Sequence, residues 1–201
     1  MIYAFLIHSS ENVGSIFFSH FYTGEGNDQS KTSRQQTIIR KVIEDKTFQQ
    51  HSASYFPTRI DLRVLSQSTI NSLSTTKKVS ETCNRNKGIT PPLEGTVLLN
   101  SPSLFEGSLV AIWRQFNELV FTTVCDARDN LSLISNSNLH IIDSLCRKFT
   151  PQHLERRIVE QPDEVEIIIS PVHRNGTPLI INHSVHRFLV KSGGPVGPYM
   201  D

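Results

Sequence analysis

Residues 1–8, Met-Ile-Tyr-Ala-Phe-Leu-Ile-His, are apolar at both odd and even positions. A strand with two apolar faces is covered on both sides, which places it in the middle of a sheet with helices above and below. A strand at the start of a chain is ordered only when tied into a sheet. Its first partner is a strand over residues 15–22, rich in aromatic and β-branched side chains (Ile16, Phe17, Phe18, Phe21, Tyr22), reached through a turn at Glu11-Asn12-Val13-Gly14. Gly24-Glu25-Gly26-Asn27-Asp28 ends this hairpin. The next strands with the same two-faced apolar pattern come about a hundred residues on. Residues 109–116 and 119–127 read as a second central hairpin around an Asn117-Glu118 turn. The fold therefore reads as α+β, with one sheet assembled from two distant parts of the sequence.

Between the hairpins, Ile38, Ile39, Val42 and Ile43 recur at helical spacing, with Arg34, Arg40, Lys41, Glu44 and Asp45 off that stripe. Ser33 and Gln36 form a capping-box pattern at the start, and the helix is expected to fade near His51. Residues 53–105 then lose any sustained period and fill with Ser and Thr, punctuated by Pro91-Pro92 and Pro102. Most of this segment reads as a disordered or loosely packed insertion, with short strands at residues 62–65 and 96–99.

After the second hairpin, residues 131–134 read as a third strand of the meander. A helix follows over residues 138–149 with Ile141, Ile142, Leu145 and Phe149 on its buried face. Pro151 stops it or opens a short helix through Val159. Residues 163–169 read two ways. Val165, Ile167 and Ile169 suit a strand, whereas Pro162 ahead of Asp163 and Glu164 resembles a helix start. Asn175-Gly176 is a turn, 179–181 a short strand, 183–190 a last helix, and Gly193-Gly194-Pro195 opens a loose tail.

Composition narrows the function classes. The 201 residues are 37% hydrophobic with a net charge of +1, a balance that does not point to nucleic acid or an acidic membrane. The cysteines, Cys83, Cys125 and Cys146, are odd in number and match no zinc or redox spacing, which reads as reduced cytosolic thiols. The apolar opening is too short for a signal-peptide core and lacks a basic flank, so the sequons at Asn130, Asn175 and Asn182 read as chance matches in a cytoplasmic protein. No stretch reaches membrane-span length.

Candidate chemistry is sparse. His183 and His186, with His173 nearby, lack the third and fourth ligands and tight spacing of a zinc site, so no metal is expected. Cys125 at a strand end has the position of a nucleophile, with His140 as its nearest candidate base, but reads as a small buried apolar residue. Trp113 beside Arg114 could stack on a base, though its apolar strand favours core packing. Lys77, Lys78, Arg85 and Lys87 make the insertion mildly basic, as a solvated loop. Phosphate-loop, dinucleotide and nucleophile-elbow motifs are missing from the sequence, and no cofactor is expected.

The order of elements is that of the longin-like small subunits of adaptor-protein complexes. Several stretches sharpen the likeness. Ala4-Phe5-Leu6-Ile7-His8, and Leu109-Val110-Ala111-Ile112-Trp113 with Val124-Cys125-Asp126-Ala127-Arg128-Asp129-Asn130-Leu131, resemble the opening strand, central hairpin and acidic turn of the sigma subunits of the fifth adaptor-protein complex. Asp163-Glu164-Val165-Glu166-Ile167-Ile168-Ile169, Asn175-Gly176 and Leu179-Ile180-Ile181-Asn182 are similar to the helix, glycine turn and short strand shared more widely among sigma subunits.

The resemblance implies a longin/SNARE-like α/β/α sandwich with a five-stranded, mainly antiparallel sheet and helices on both faces. It implies a single domain over 1–201, interrupted at about 53–105 and ending in a tail at 192–201, with 163–169 helical. It further implies a non-enzymatic role: clasping a large zeta-type subunit in a heterotetramer with beta-type and mu-type subunits and with companion proteins linked to spastic paraplegia. That complex works in membrane-protein sorting, peripherally on late endosomes and lysosomes. No dileucine-pocket or partner-contact residue is assigned. The rivals are a longin-type subunit of an exchange-factor or tethering assembly, and a small enzyme using Cys125 or the histidines.

Overall fold

The computed structural model describes residues 1–24, 28–55 and 93–178. Five strands form one antiparallel sheet: β1 (Ile2–Ser9), β2 (Ile16–Phe21), β3 (Glu94–Leu99), β4 (Leu109–Phe116) and β5 (Leu119–Asp126), in the spatial order β2-β1-β5-β4-β3. The opening strand is second from one edge and pairs with β5, Phe5 opposite Thr123 and Ile7 opposite Phe121. The sheet is thus joined from two distant stretches, as the two-faced apolar pattern requires.

Helix α1 (Lys31–Tyr55) covers one face. Helix α2 (Leu131–Lys148), a 3-10 turn (Pro151–His153), α3 (Leu154–Glu160) and α4 (Pro162–Ile169) cover the other. Strand alternation sorts the side chains. Ala4, Leu6, Ala111, Trp113, Val120 and Val124 pack with Ile38, Ile39 and Val42 of α1. Phe5, Ile7, Leu119 and Phe121 pack with Ile141, Ile142 and Leu145 of α2, Ile158 of α3, and Val165, Ile168 and Ile169 of α4. The result is an α/β/α sandwich of longin-like type.

Several local expectations need correction. Residues 131–134 are the first turn of α2, not a strand. The Asn130 side chain accepts a hydrogen bond from Leu133 N at 3.1 Å and starts the helix there, which brings Ile134, Asn138, Ile141 and Leu145 onto one buried face. Helix α1 starts at Lys31, so Ser33 lies inside its first turn; the Asp28 carboxylate, which accepts from Ser30 N at 2.9 Å, lies just ahead of it. No Gly or Pro interrupts it, and it continues past His51. Of the expected insertion, residues 93–105 belong to the packed body: Leu99 and Phe105 are buried, and the short strand at 96–99 is the greater part of β3. The patch at 62–65 lies outside the described residues, as do the strand at 179–181, the helix at 183–190 and the tail.

The ambiguous 163–169 segment is helical. Pro162 occupies the first turn and Asp163 and Glu164 sit at the positive end of the dipole, which outweighs the β-branched run. The Asn175-Gly176 turn joins two short strands, β6 (His173–Arg174) and β7 (Thr177–Pro178), with φ of 48° and 74° at its central residues. Gly176 also lets this hairpin touch the main sheet. Ile2 N donates to Gly176 O at 2.6 Å, and a Cβ at Gly176 would stand 2.7 Å from Ile2 O.

Candidate partner-docking edge

Strand β3 is an edge of the sheet, and α1 runs beside it. Lys41, Glu44, Asp45 and Phe48 recur at three- and four-residue spacing and line one side of a groove of about 620 Å3; Thr96, Val97, Leu98 and Asn100 line the other. Alternation along β3 turns Val97 and Leu99 toward α1 and leaves Thr96 and Leu98 on the outer side. Two large apolar side chains stand in solvent here: Phe48, 70% exposed, and Leu98, 51% exposed.

A polar clamp holds the groove together. Trp113 Nε1 donates to Asp45 Oδ2 at 2.9 Å, and Gln49 Nε2 donates to the same oxygen at 3.0 Å. Gly95 lies directly beneath. A Cβ at this position would meet Asp45 Oδ2 at 2.5 Å, Gln49 Nε2 at 2.6 Å and Trp113 Nε1 at 2.7 Å. Glycine is required here because three side-chain termini converge on its Cα. On the outer side of the sheet Arg114 pairs with Glu94, its cross-strand partner.

Among the described residues, those singled out for chemistry form no common site. Cys125 is fully buried; its thiol is pushed up to about 12, chiefly by burial, and lies 3.8 Å from Val110 O. That is the reverse of an activated nucleophile. His140 is half-buried on α2. His173 is buried beneath Phe5, with Nε2 2.9 Å from Ser137 Oγ and its pKa lowered to about 3 by desolvation. Trp113 is 1% exposed, so it packs in the core rather than stacking on a ligand. Among the described residues no three His, Cys, Asp or Glu side chains cluster as metal ligands, and no helix is long and apolar enough to cross a membrane. Cys83, His183, His186, Lys77, Lys78, Arg85 and Lys87 lie outside the described residues.

Sequence reasoning missed the β3 edge. Its signals were an isolated glycine inside a strand pattern at Gly95, and Phe48 standing among Lys46, Thr47, Gln49 and Gln50.

The sandwich, with its five-stranded antiparallel sheet between α1 and α2–α4, defines an α+β protein of the longin-like type found in adaptor small subunits. The family model for the AP-5 complex subunit sigma-1 matches residues 1–192. The chain belongs to the AP-5 complex subunit sigma-1 family. A search of curated proteins gives no match.

Proposed function

We propose that this chain is the non-enzymatic small subunit of a heterotetrameric adaptor complex, and that it works by clasping and stabilising a large, zeta-type subunit. The carrying observation is the AP-5 sigma family match, which spans the whole described body. Beta-type and mu-type subunits complete the assembly, and the spastic-paraplegia companion proteins associate with it. The assembly sorts membrane proteins in endosomal, vesicle-mediated transport. The chain is cytoplasmic and reaches late-endosome and lysosome membranes peripherally, through the complex. It forms one longin-like domain interrupted by the segment ahead of β3.

The apolar groups left in solvent beside one another at Phe48 and Leu98 support a role completed by a partner. The test is co-expression with the zeta-type large subunit, affinity capture and size-exclusion chromatography. Co-elution as a one-to-one complex, with this chain less soluble alone than in the complex, is the expected result. A stable, monodisperse chain that forms no complex would overturn the reading and move the function to another trafficking assembly.

A further inference from the structure

The two edges of the sheet are finished differently. Every residue of β2 is half-buried, α3 packs beside it, and the Lys31 ammonium lies 5.6 Å from the Phe21 ring. Strand β3 is terminal in the sheet among the described residues, its burial alternates between exposed and half-buried as far as the buried Leu99, and its outermost large side chain is the exposed Leu98. An edge strand presents a row of unpaired backbone N–H and C=O groups, which proteins blunt with lysine, proline or a bulge. Glu94-Gly95-Thr96-Val97-Leu98-Leu99 carries no Lys or Pro, and its register with β4 runs without a shift.

We infer that the β3 edge receives an extended, uncharged apolar segment of the large subunit, added to the sheet as a sixth strand. The inference rests on the adaptor-subunit reading and names where that subunit is engaged. Three observations converge on this occupant. The backbone row on β3 is matched by another strand. Phe48 and Leu98 flank the row on opposite sides, so alternate side chains of an added strand would each meet an apolar surface. The charges at the groove are committed internally: Lys41 Nζ bonds Glu44 Oε2 at 2.8 Å, and the Asp45 carboxylate takes the Trp113 and Gln49 donors. Lys41 and Glu44 cancel each other's charge at the groove, so the apolar Phe48 and Leu98 favour a neutral segment.

The experiment uses the full chain co-expressed with the zeta-type large subunit. Leu98→Lys introduces the residue that edge strands use against pairing, and Phe48→Ser removes the other flank. Both positions are exposed, so the chain's own unfolding is expected to change little. Each variant should weaken capture about tenfold or more, the scale of losing a buried apolar anchor. Val159→Lys and Ile167→Lys, at exposed apolar positions elsewhere, should capture as the natural chain does. Amides of residues 94–99 should gain hydrogen-exchange protection in the complex.

Undiminished capture by both Leu98→Lys and Phe48→Ser overturns the edge assignment while leaving the adaptor reading intact. So does protection of the β3 amides that is already complete in the isolated chain, since the edge would then be occupied by this chain itself or by a second copy. Failure of the natural chain to be captured at all overturns the adaptor reading, and this inference with it.

Discussion

Gly95→Ala isolates what holds α1 against the β3 edge. The added methyl would stand 2.5 Å from Asp45 Oδ2, 2.6 Å from Gln49 Nε2 and 2.7 Å from Trp113 Nε1, well inside contact distance. Trp113 cannot yield, being 1% exposed and packed in the core with Ala111 and Val42. Asp45 and Gln49 must therefore swing away and the β3 backbone must shift back from the indole, which breaks the Trp113–Asp45 hydrogen bond and leaves a buried indole N–H unpaired. Losing a hydrogen bond to a charged group costs about 1.5–3 kcal/mol, and residual overpacking about 1 kcal/mol more. The expected loss is about 2.5–4 kcal/mol, a large part of the ~5–15 kcal/mol typical of a domain.

The assay is urea unfolding followed by the fluorescence of Trp113, the chain's one tryptophan. The partner experiment is the same substitution in an Asp45→Ala background. There the carboxylate is already gone, so Gly95→Ala should cost at least 1 kcal/mol less than in the natural chain, a clear departure from additivity. A loss below about 0.5 kcal/mol, or full additivity of the two changes, would refute the clamp as the force that seats α1.

The remaining expectations concern buried polar groups. His8 and His173 are both buried, with pKa values lowered by desolvation to about 4 and about 3 from the ordinary 6.5. Below pH 6.5 the unfolded chain therefore takes up protons that the native chain refuses. The stability these residues confer is complete above that pH and is lost as pH falls toward their folded values, at up to about 1.4 kcal/mol per pH unit for each histidine. Urea midpoints measured from pH 7.5 to 5 test this, and His173→Phe should flatten the slope. Asn138→Ala removes the acceptor of Thr123 Oγ1 (2.5 Å) and the donor to Ile112 O (3.3 Å); the orphaned buried groups should cost about 1–3 kcal/mol, read by urea unfolding. Cys125, buried and held protonated, should resist iodoacetamide in the folded chain and react only on unfolding, as peptide mapping would show.

Much of this architecture was legible in the sequence because strand pairs buried on both faces leave a signal that survives any environment. Met1 to His8 and the 109–126 hairpin carry apolar residues at both parities, and only a central position in a covered sheet accommodates that. Misreadings arose where one short-range signal had to be weighed against another. At residues 131–134 the apolar run outweighed in the reading what Asn130 does in the chain, namely cap a helix. At 163–169 the residues read both ways and the family likeness implies a helix; Pro162 and two acids at the dipole's positive end decide for it, so no correction arises there. The short strand at 96–99 is legible, but composition places it inside a Ser/Thr-rich insertion rather than in the main sheet, because a short edge strand needs few apolar residues and Gly95 weakens the start of its pattern.

The docking edge was the least legible part for a related reason. Phe48 lies outside the α1 stripe that packs on the sheet, and Leu98 lies on the outer side of β3. Neither can be recognised as exposed until the strand and the helix are placed side by side. Gly95 shows how the two features depend on each other. The missing side chain that disguises β3 in the sequence is what lets Asp45 reach Trp113, and that contact brings α1 close enough to β3 for Phe48 and Leu98 to flank one groove. A substitution that restored a stronger strand pattern at Gly95 would therefore be expected to open the docking edge itself.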